Sequence, residues 1–332
     1  MPAAAAIVIP NYNGARFLPP LFESLHRQSR RDFEVIVVDD ASGDGGADWL
    51  RAARPDVRLI VNPHNVGFAA TCNAGLRAAD APVVALLNND TTVDPRWFER
   101  ALHRFDDPRV GSVASLVLRA DPPHPIDSAG DVFSVAGGAS KRLHGAPAAR
   151  AAELPADTFS ACAASAFYRR AALDRVGLLD EQFVSYYEDV ELGFRLQWAG
   201  WRCVLAADSI CYHRLSASHD PRGWTMHFHS ARNAEIVWRA LLTARQRRRY
   251  LAAHLAFLTL QCAAETLRGR GRPFLAGKWA ALRAGDWVRD KRAAVARLAR
   301  VSEAELNARL ERRWWRLHVA PRLAKLLRGT WR

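Results

Sequence analysis

The 332-residue chain is poor in sulfur: it has two methionines and five cysteines, Cys72, Cys162, Cys203, Cys211 and Cys262, with no CxxC pair. An odd, scattered set excludes a disulfide scaffold and reads as buried thiols in a reducing compartment. No apolar run is long enough to cross a bilayer; the longest weakly polar stretch, 250–264, contains His254 and Gln261. The N-terminus lacks a basic segment followed by an apolar core and cleavage site, so it reads as a first strand and the expected location is cytoplasmic. No G-x-G-x-x-G follows the first apolar run and no G-x-x-x-x-G-K-[ST] occurs, which argues against Rossmann dehydrogenases and P-loop NTPases. Gly43-Asp44-Gly45-Gly46 is only a flexible turn. His213, His219, His227 and His229 have no HExxH or comparable spacing, so a zinc site is not expected.

Acidic residues are scarce only at one end. Of the 47 Lys+Arg and 34 Asp+Glu, 24 and 7 fall after residue 230, leaving an acidic body of 23 against 27. The net +13 therefore describes the tail and not the body. The division expected from this is a catalytic unit over 1–230 and a basic helical extension over 231–332.

Within the body the most informative stretch is Val83-Val84-Ala85-Leu86-Leu87-Asn88-Asn89-Asp90. Five apolar residues without alternation predict a strand buried on both faces of a parallel sheet. It stops at three polar side chains, where open α/β sheets hold ligands, although an Asx turn would use the same residues. One carboxylate beside two amides suits Mg²⁺ or Mn²⁺, which keep other positions for water and phosphate oxygens. The pattern repeats. Ala4–Ile9 ends at Pro10-Asn11-Tyr12-Asn13-Gly14, Glu34–Val38 at Asp39-Asp40, and Val57–Val61 at Asn62-Pro63-His64-Asn65-Val66-Gly67, each followed by a helical pattern. Asp94-Pro95 reads as the N-cap and first residue of the next helix. The prediction is an α/β fold, a doubly wound, mostly parallel sheet with helices on both faces. Asn13, Asp39, Asp40 and Asp90 then line one crevice.

Val110–Val117 is a fifth strand, after which 120–152 reads as a long excursion over the site. The small, apolar 159–168 reads as a strand that something approaches closely, which makes Cys162 and Ala163 acceptor-side candidates. Tyr187-Glu188-Asp189-Val190-Glu191-Leu192 opens an amphipathic helix. Ser185 and Glu188 fit a capping box, and one of Glu188 and Asp189 is the candidate general base. Arg232, on a later helix, is a third acceptor-side candidate. Leu306, Leu310, Trp314 and Leu317 recur at helical spacing beside arginines and Trp315, with Trp331 beyond, which fits either a solvated helix on the body or an in-plane helix on an anionic membrane. Nucleic acid is not an expected partner, because the body is acidic and no reader motif occurs.

Ile-Pro-Asn-Tyr-Asn-Gly at 9–14, Val-Asp-Asp-Ala-Ser at 38–42, Asn-Val-Gly-Phe-Ala-Ala-Thr-Cys-Asn-Ala-Gly at 65–75, Leu-Asn-Asn-Asp-Thr at 87–91 and Tyr-Glu-Asp-Val-Glu-Leu-Gly-Phe-Arg-Leu at 187–196 occur in this order. In that order and spacing they resemble the family 2 glycosyltransferases of the GT-A fold over roughly residues 4–240. The resemblance implies transfer from a nucleotide-sugar donor to a saccharide or lipid-linked saccharide, assisted by Mg²⁺ or Mn²⁺. It implies that Pro10, Tyr12 and Asp40 hold the nucleoside base, with Asn11, Asn13, Asp39, Asn65, Gly67, Asn73, Asn88 and Asn89 as further nucleotide-binding residues. It also implies that Asp90 binds the metal, His213 is a further metal ligand and Asp189 is the base. Asn88 departs from a stricter DxD motif, leaving one fewer negative charge at the metal. The Asn-Asn-Asp form resembles the branch containing dTDP-rhamnosyltransferases. A nucleotidyltransferase would commonly carry a Gly-rich basic loop where this chain has Pro-Asn-Tyr-Asn-Gly, and a non-catalytic sugar-binding protein would have no need of Glu188 and Asp189. The basic tail places the expected site of action at the inner face of the cell membrane.

Overall fold

The computed structural model describes residues 3–215 and 223–320, so His219 and Trp331 lie outside the described residues. Strands Ala5–Asn11 (β1), Phe33–Asp39 (β2), Arg58–Val61 (β3) and Val83–Leu87 (β4) alternate with helices Leu18–His26 (α1), Gly46–Ala53 (α2) and Phe68–Ala78 (α3). Thr91–Val93 (β5) and Trp97–Leu102 (α4) precede Val110–Arg119 (β6). The excursion then forms Ile126–Ser128 (β7), Asp131–Phe133 (β8), Ala139–Lys141 (β9) and Asp157–Thr158 (β10). Ser165–Arg169 (β11), Arg170–Val176 (α5), Glu188–Trp198 (α6) and Arg202–His213 (β12) complete the body. Six helices follow: Trp224–Leu241 (α7), Ala244–Leu267 (α8), Gly271–Arg283 (α9), Gly285–Leu298 (α10), Glu303–Arg309 (α11) and Trp314–His318 (α12).

The main sheet has the order β10-β12-β6-β11-β4-β1-β2-β3, with β5 on β12 and β7 on β6, while β8 and β9 form a separate hairpin. Pairs β1–β2, β1–β4, β2–β3 and β6–β12 are parallel; β11 runs antiparallel between β4 and β6. Alternating side chains of β1 and β4 feed two cores, as the pleat requires. Ala6, Val8, Val84 and Leu86 meet Leu76, Leu173, Leu192 and Leu196 on one face. Ile7, Ile9, Ala85 and Leu87 meet Leu18, Leu21, Leu50 and Trp97 on the other. Each such aliphatic side chain contributes about 1.5–3 kcal/mol by leaving water.

Two local expectations change. Asp94 does not cap α4 directly: its carboxylate accepts from the Arg96 amide in a turn, and the helix begins at Trp97. Residues 159–164 are not strand; β11 starts at Ser165. Cys203–Ala207 and Ile210–His213 belong to one strand, β12, whose register against β6 shifts between Ala206 and Ile210.

The division expected at residue 230 falls inside α7. Ile236, Val237 and Trp238 of that helix pack with Phe183, Val190, Phe194 and Trp198, as do Val288, Val295, Leu306 and Leu310 of later helices. The Leu306/Leu310 stripe is thus buried on the body, which selects the solvated-helix reading for α11 over the in-plane membrane helix. Glu191, fully buried in α6, pairs with Arg195 and with Lys291 of α10, joining the two parts by charge as well as by apolar contact. No described helix is long and apolar enough to cross a membrane.

Candidate active site

At the carboxyl edge of β1, β2 and β4 the sequence-predicted residues come together as a polar network. Asn11 Nδ2 donates to Asp39 Oδ2 at 2.7 Å, and Asn89 Nδ2 donates to Asn11 Oδ1 at 2.7 Å. Gly14 makes this possible, because a Cβ there would stand 2.0 Å from Asn89 Nδ2. The Asp40 carboxylate accepts from Asn62 Nδ2 and from the amides of Val66 and Gly67, closing the loop between β3 and α3. Pro10, Asn11, Asp39, Asp40 and Asn89 are all buried, so they shape the crevice; Tyr12, Asn13 and Asn65 are exposed along it. Asn73 is a correction: its amide donates to Leu179 O and Glu181 Oε1 and its Oδ1 accepts from Leu179 N, so it ties α3 to the chain before α6 and has no group left for a nucleotide.

Asp90 and His213 meet, with Oδ1 and Nε2 3.2 Å apart, because β12 ends beside β5 at the rung His213–Thr91. The other ring nitrogen of His213, Nδ1, lies 3.3 Å from Asp127 Oδ2. Asp127 also accepts from Lys141 Nζ at 2.8 Å. Burial alone would lower the His213 pKa, but Asp127 and Asp90 outweigh it and raise it to about 9. Burial likewise opposes the ionised Asp127, and His144, His213 and Lys141 outweigh it, holding that carboxyl well below its usual range. Among the described residues no three His, Cys, Asp or Glu side chains converge as a complete metal site. Asp90 and His213 present two side chains of a kind that ligate divalent cations, and the buried Asn88 Oδ1 has no hydrogen-bond partner. That set fits a hard divalent cation completed by ligand oxygens and water, with Asp127 orienting the imidazole from behind.

Asp189 stands at the start of α6. Its Oδ2 accepts from the Ala163 amide at 3.0 Å and its Oδ1 from the Val190 amide at 2.8 Å. One residue on, Ala164 O accepts from Asn88 N at 3.1 Å, so a single short segment carries both Asp189 and the Asn88–Asp90 motif. Burial raises the Asp189 pKa against those two amide bonds. Glu188 is more deeply buried, is raised well above the usual range by burial and by Asp189, and leaves Oε2 without a partner. The expected capping box is absent: the N-cap of α6 is Tyr187 in a left-handed conformation, with no side-chain cap.

The loop before α6 is strained. Val184, Tyr186 and Tyr187 have φ of 64°, 68° and 70°. Such residues cost on the order of 1–3 kcal/mol each and persist only where the surroundings hold them. Asn233 of α7, fully buried, does so: its Nδ2 lies within 3.0 Å of the carbonyls of Phe183, Ser185 and Tyr186. Gly67, at φ +89°, leaves room for Val184, whose side chain a Cβ would meet at 2.8 Å. Arg232, read from sequence as acceptor-side, instead donates to the carbonyls of Gln182 and Phe183 and steadies the same loop. The amide of Ala163, the residue after Cys162, donates to Asp189.

Sequence reading missed Asp127, Asp131, Lys141 and Asn233. Asp131 is buried, accepts from Ser160 Oγ at 3.2 Å, and is pushed up to about 8 by burial and by Asp189. The only signal for the first three was the irregular excursion itself, whose hairpin pairs Asp131 with Lys141. Nothing local marks Asn233, whose partners lie 47 to 50 residues away.

The family model described as Glycosyl transferase family 2 matches residues 6–177. O-antigen biosynthesis protein RfbC of Myxococcus xanthus is 30% identical over 228 residues, covering 64% of this chain and 17% of that protein. A validoxylamine A glucosyltransferase of Streptomyces hygroscopicus subsp. jinggangensis is 30% identical over 227 residues, covering 61% of this chain and 54% of that protein. The chain thus spans at most about half the length of these two relatives. Among solved structures, a mannosyltransferase from Pyrobaculum calidifontis in complex with GDP-Man and Mn²⁺ superposes with a TM-score of 0.53 at 18% identity, covering 89% of this chain and 84% of that one. GalNAc-T7 with UDP, GalNAc and Mn²⁺ gives 0.57 at 14%, covering 70% and 48%. These structures share the GT-A fold, and the match over more than half of the sequence establishes that the chain belongs to glycosyl transferase family 2.

Proposed function

We propose that this glycosyltransferase moves a sugar from a nucleoside-diphosphate donor to a hydroxyl of a glycan or lipid-linked saccharide, with inversion at the anomeric carbon. The observation that carries this reading is the segment Ala163–Ala164, which binds Asp189 on one side and the Asn88–Asp90 motif on the other. The acceptor oxygen attacks the anomeric carbon, the bond to the diphosphate breaks, and the hydroxyl proton passes to the Asp189 carboxylate. Burial makes that carboxylate a stronger base than a solvated one, and a placed base is worth roughly 10²–10⁴ in rate. A divalent ion on Asp90 and His213 would supply Lewis-acid stabilisation of the departing diphosphate. Tyr12, Asn13, Asn65 and Asn88 offer the groups that meet the donor, on loops fixed by Asn11, Asp39, Asp40 and Asn89. The Asn-Asn-Asp motif supports a dTDP-rhamnose donor, and the O-antigen relative supports a cell-envelope acceptor.

The membrane reading moves to a different surface. Leu251, Leu255, Leu260 and Leu267 of α8 and Leu275, Trp279 and Leu282 of α9 are exposed, with Arg245, Arg248, Arg249, Arg272 and Arg283 exposed on the same two helices. Exposed leucine and tryptophan with cations suit the headgroup region of an anionic leaflet, where a lipid-linked acceptor is found.

Asp189→Asn is expected to lower transfer about 10²–10⁴-fold while donor affinity stays within twofold. Asp90→Ala is expected to abolish the Mn²⁺ dependence of nucleoside-diphosphate binding. Full turnover in the first variant, or unchanged metal-dependent affinity in the second, refutes the assignment. Protection from heating by a panel of nucleotide sugars with Mn²⁺ names the donor.

A further inference from the structure

On the far side of the β8–β9 hairpin lies a second cavity of about 480 Å³, a volume that suits a sugar-sized ligand. Its charged wall is three guanidinium groups, Arg142, Arg202 and Arg309, against one carboxylate, Asp157. Arg202 is already balanced, its nitrogens 2.8–2.9 Å from Asp107 and Asp157. Arg142 and Arg309 are not. Arg142 donates to two neutral carbonyls, those of Pro155 and Asp157, at 3.0 and 2.9 Å. Arg309 donates to the side-chain oxygen of Gln197. Among the described residues neither meets a carboxylate within ion-pair distance.

The arrangement is built and not merely a solvated charge run. Gln197 is buried, and its amide nitrogen donates to Phe159 O at 2.8 Å, which turns the side-chain oxygen toward Arg309. The two carbonyls on Arg142 fix the plane of its guanidinium in the same way. Val132, Leu154 and Phe159 supply apolar walls. Partly desolvated guanidinium groups with free N–H donors and no carboxylate recognise planar or tetrahedral anions, a carboxylate or a phosphate.

We propose that this cavity is a second binding site, separate from the donor crevice, for a small ligand bearing one carboxylate or phosphate on a sugar-sized body. Arg142 and Arg309 grip the anion and the apolar walls take the ring. The site is coupled to the catalytic side by the hairpin: Val132 and Arg142 line the cavity, while their neighbours Asp131 and Lys141 form the rung that faces Asp127 and Ser160. An occupant therefore presses on the hairpin that carries Lys141 and Asp131.

Calorimetric titration of the full chain with glucuronate, with glucose and with inorganic phosphate tests this. Glucuronate or phosphate is expected to bind in a salt-dependent manner and glucose not to bind; whichever anion binds more tightly identifies the carboxylate or the phosphate source. The double variant Arg142→Gln/Arg309→Gln is expected to weaken that binding at least tenfold, and Ala308→Trp, which fills the cavity from an exposed lining position without altering charge, is expected to do the same. Both variants should bind a nucleoside diphosphate with Mn²⁺ as the unaltered chain does, which separates this site from the crevice. Absence of binding by both anions, or binding unchanged in Ala308→Trp and in the arginine variant, overturns the proposal.

Discussion

The most exposing perturbation is Asn233→Leu, because it removes an amide far from the reacting groups while keeping the same branched side-chain skeleton. The two hydrogens of Asn233 Nδ2 serve three carbonyls, those of Phe183, Ser185 and Tyr186. Losing each of the two hydrogens costs about 1 kcal/mol net, rising to about 2 where the buried carbonyl stays unpaired, so roughly 2–4 kcal/mol disappears from one loop. That loop stores strain of similar size in Val184, Tyr186 and Tyr187. It is expected to relax, turning the start of α6 and moving Asp189 away from the amide of Ala163. At 1.4 kcal/mol per decade the population with Asp189 in place falls about 30- to 700-fold. The assay is single-turnover sugar transfer, or slow donor hydrolysis in the absence of acceptor, paired with calorimetry of nucleoside-diphosphate binding. The rate should fall by about two orders of magnitude, donor affinity should stay within twofold, and Tm should drop by a few degrees. A rate within threefold of the unaltered chain refutes the reasoning, as does equal loss of rate and donor affinity, which would mean that Asn233 only supports global stability.

Asp127→Asn removes the charge behind His213 and should return its pKa from about 9 toward the ordinary value, seen by NMR, and weaken Mn²⁺ binding about 10–100-fold; unchanged metal affinity would exclude an orienting role. Acid should loosen the C-terminal helices. Burial favours neutral Glu191 and Glu235, but Arg195 and Lys291 at the first, and His254 and Lys278 at the second, hold both at about 2. A depressed carboxyl stabilises above its unfolded pKa and loses that contribution as pH falls through its folded one, so between pH 4.5 and 2 each pair should lose on the order of 3 kcal/mol. Trp287 fluorescence should follow this transition, and Glu191→Gln should flatten it; an identical acid profile in that variant contradicts the assignment. Trp279→Asp with Leu275→Asp should cut binding to anionic vesicles at low salt at least tenfold, and failure of the unaltered chain to bind such vesicles removes the membrane reading.

The alternation of β1 to β4 with their helices was legible because unbroken apolar runs and strand-end polar residues are local signals. The Asn88–Asp90 and Glu188–Asp189 motifs were legible for the same reason. What carried no local signal is the tertiary use of each side chain. Asn73 and Arg232 have the chemistry of ligand-binding groups, and only the folded chain shows the first donating to the Leu179 carbonyl and the Glu181 carboxylate and the second to the carbonyls of Gln182 and Phe183. The capping box at Ser185 failed because Tyr187 enters α6 through a left-handed conformation that spacing does not encode. Asp127 and Lys141 sat in a segment recognisable as irregular, yet the contact of Asp127 with His213, and of Lys141 with Asp127, depends on the pairing of β7 with β6 and of β9 with β8.

Asn233 lies well beyond residue 177, where the family match ends, yet it fixes the backbone that presents Asp189. The loop before α6 is therefore not independent of α7. A chimera that keeps residues up to the end of β12 and borrows its later helices from a relative would inherit the strand-end residues intact while leaving the loop before Asp189 to be held by a foreign helix. Turnover in such chimeras should track whether the borrowed first helix carries an amide at this position.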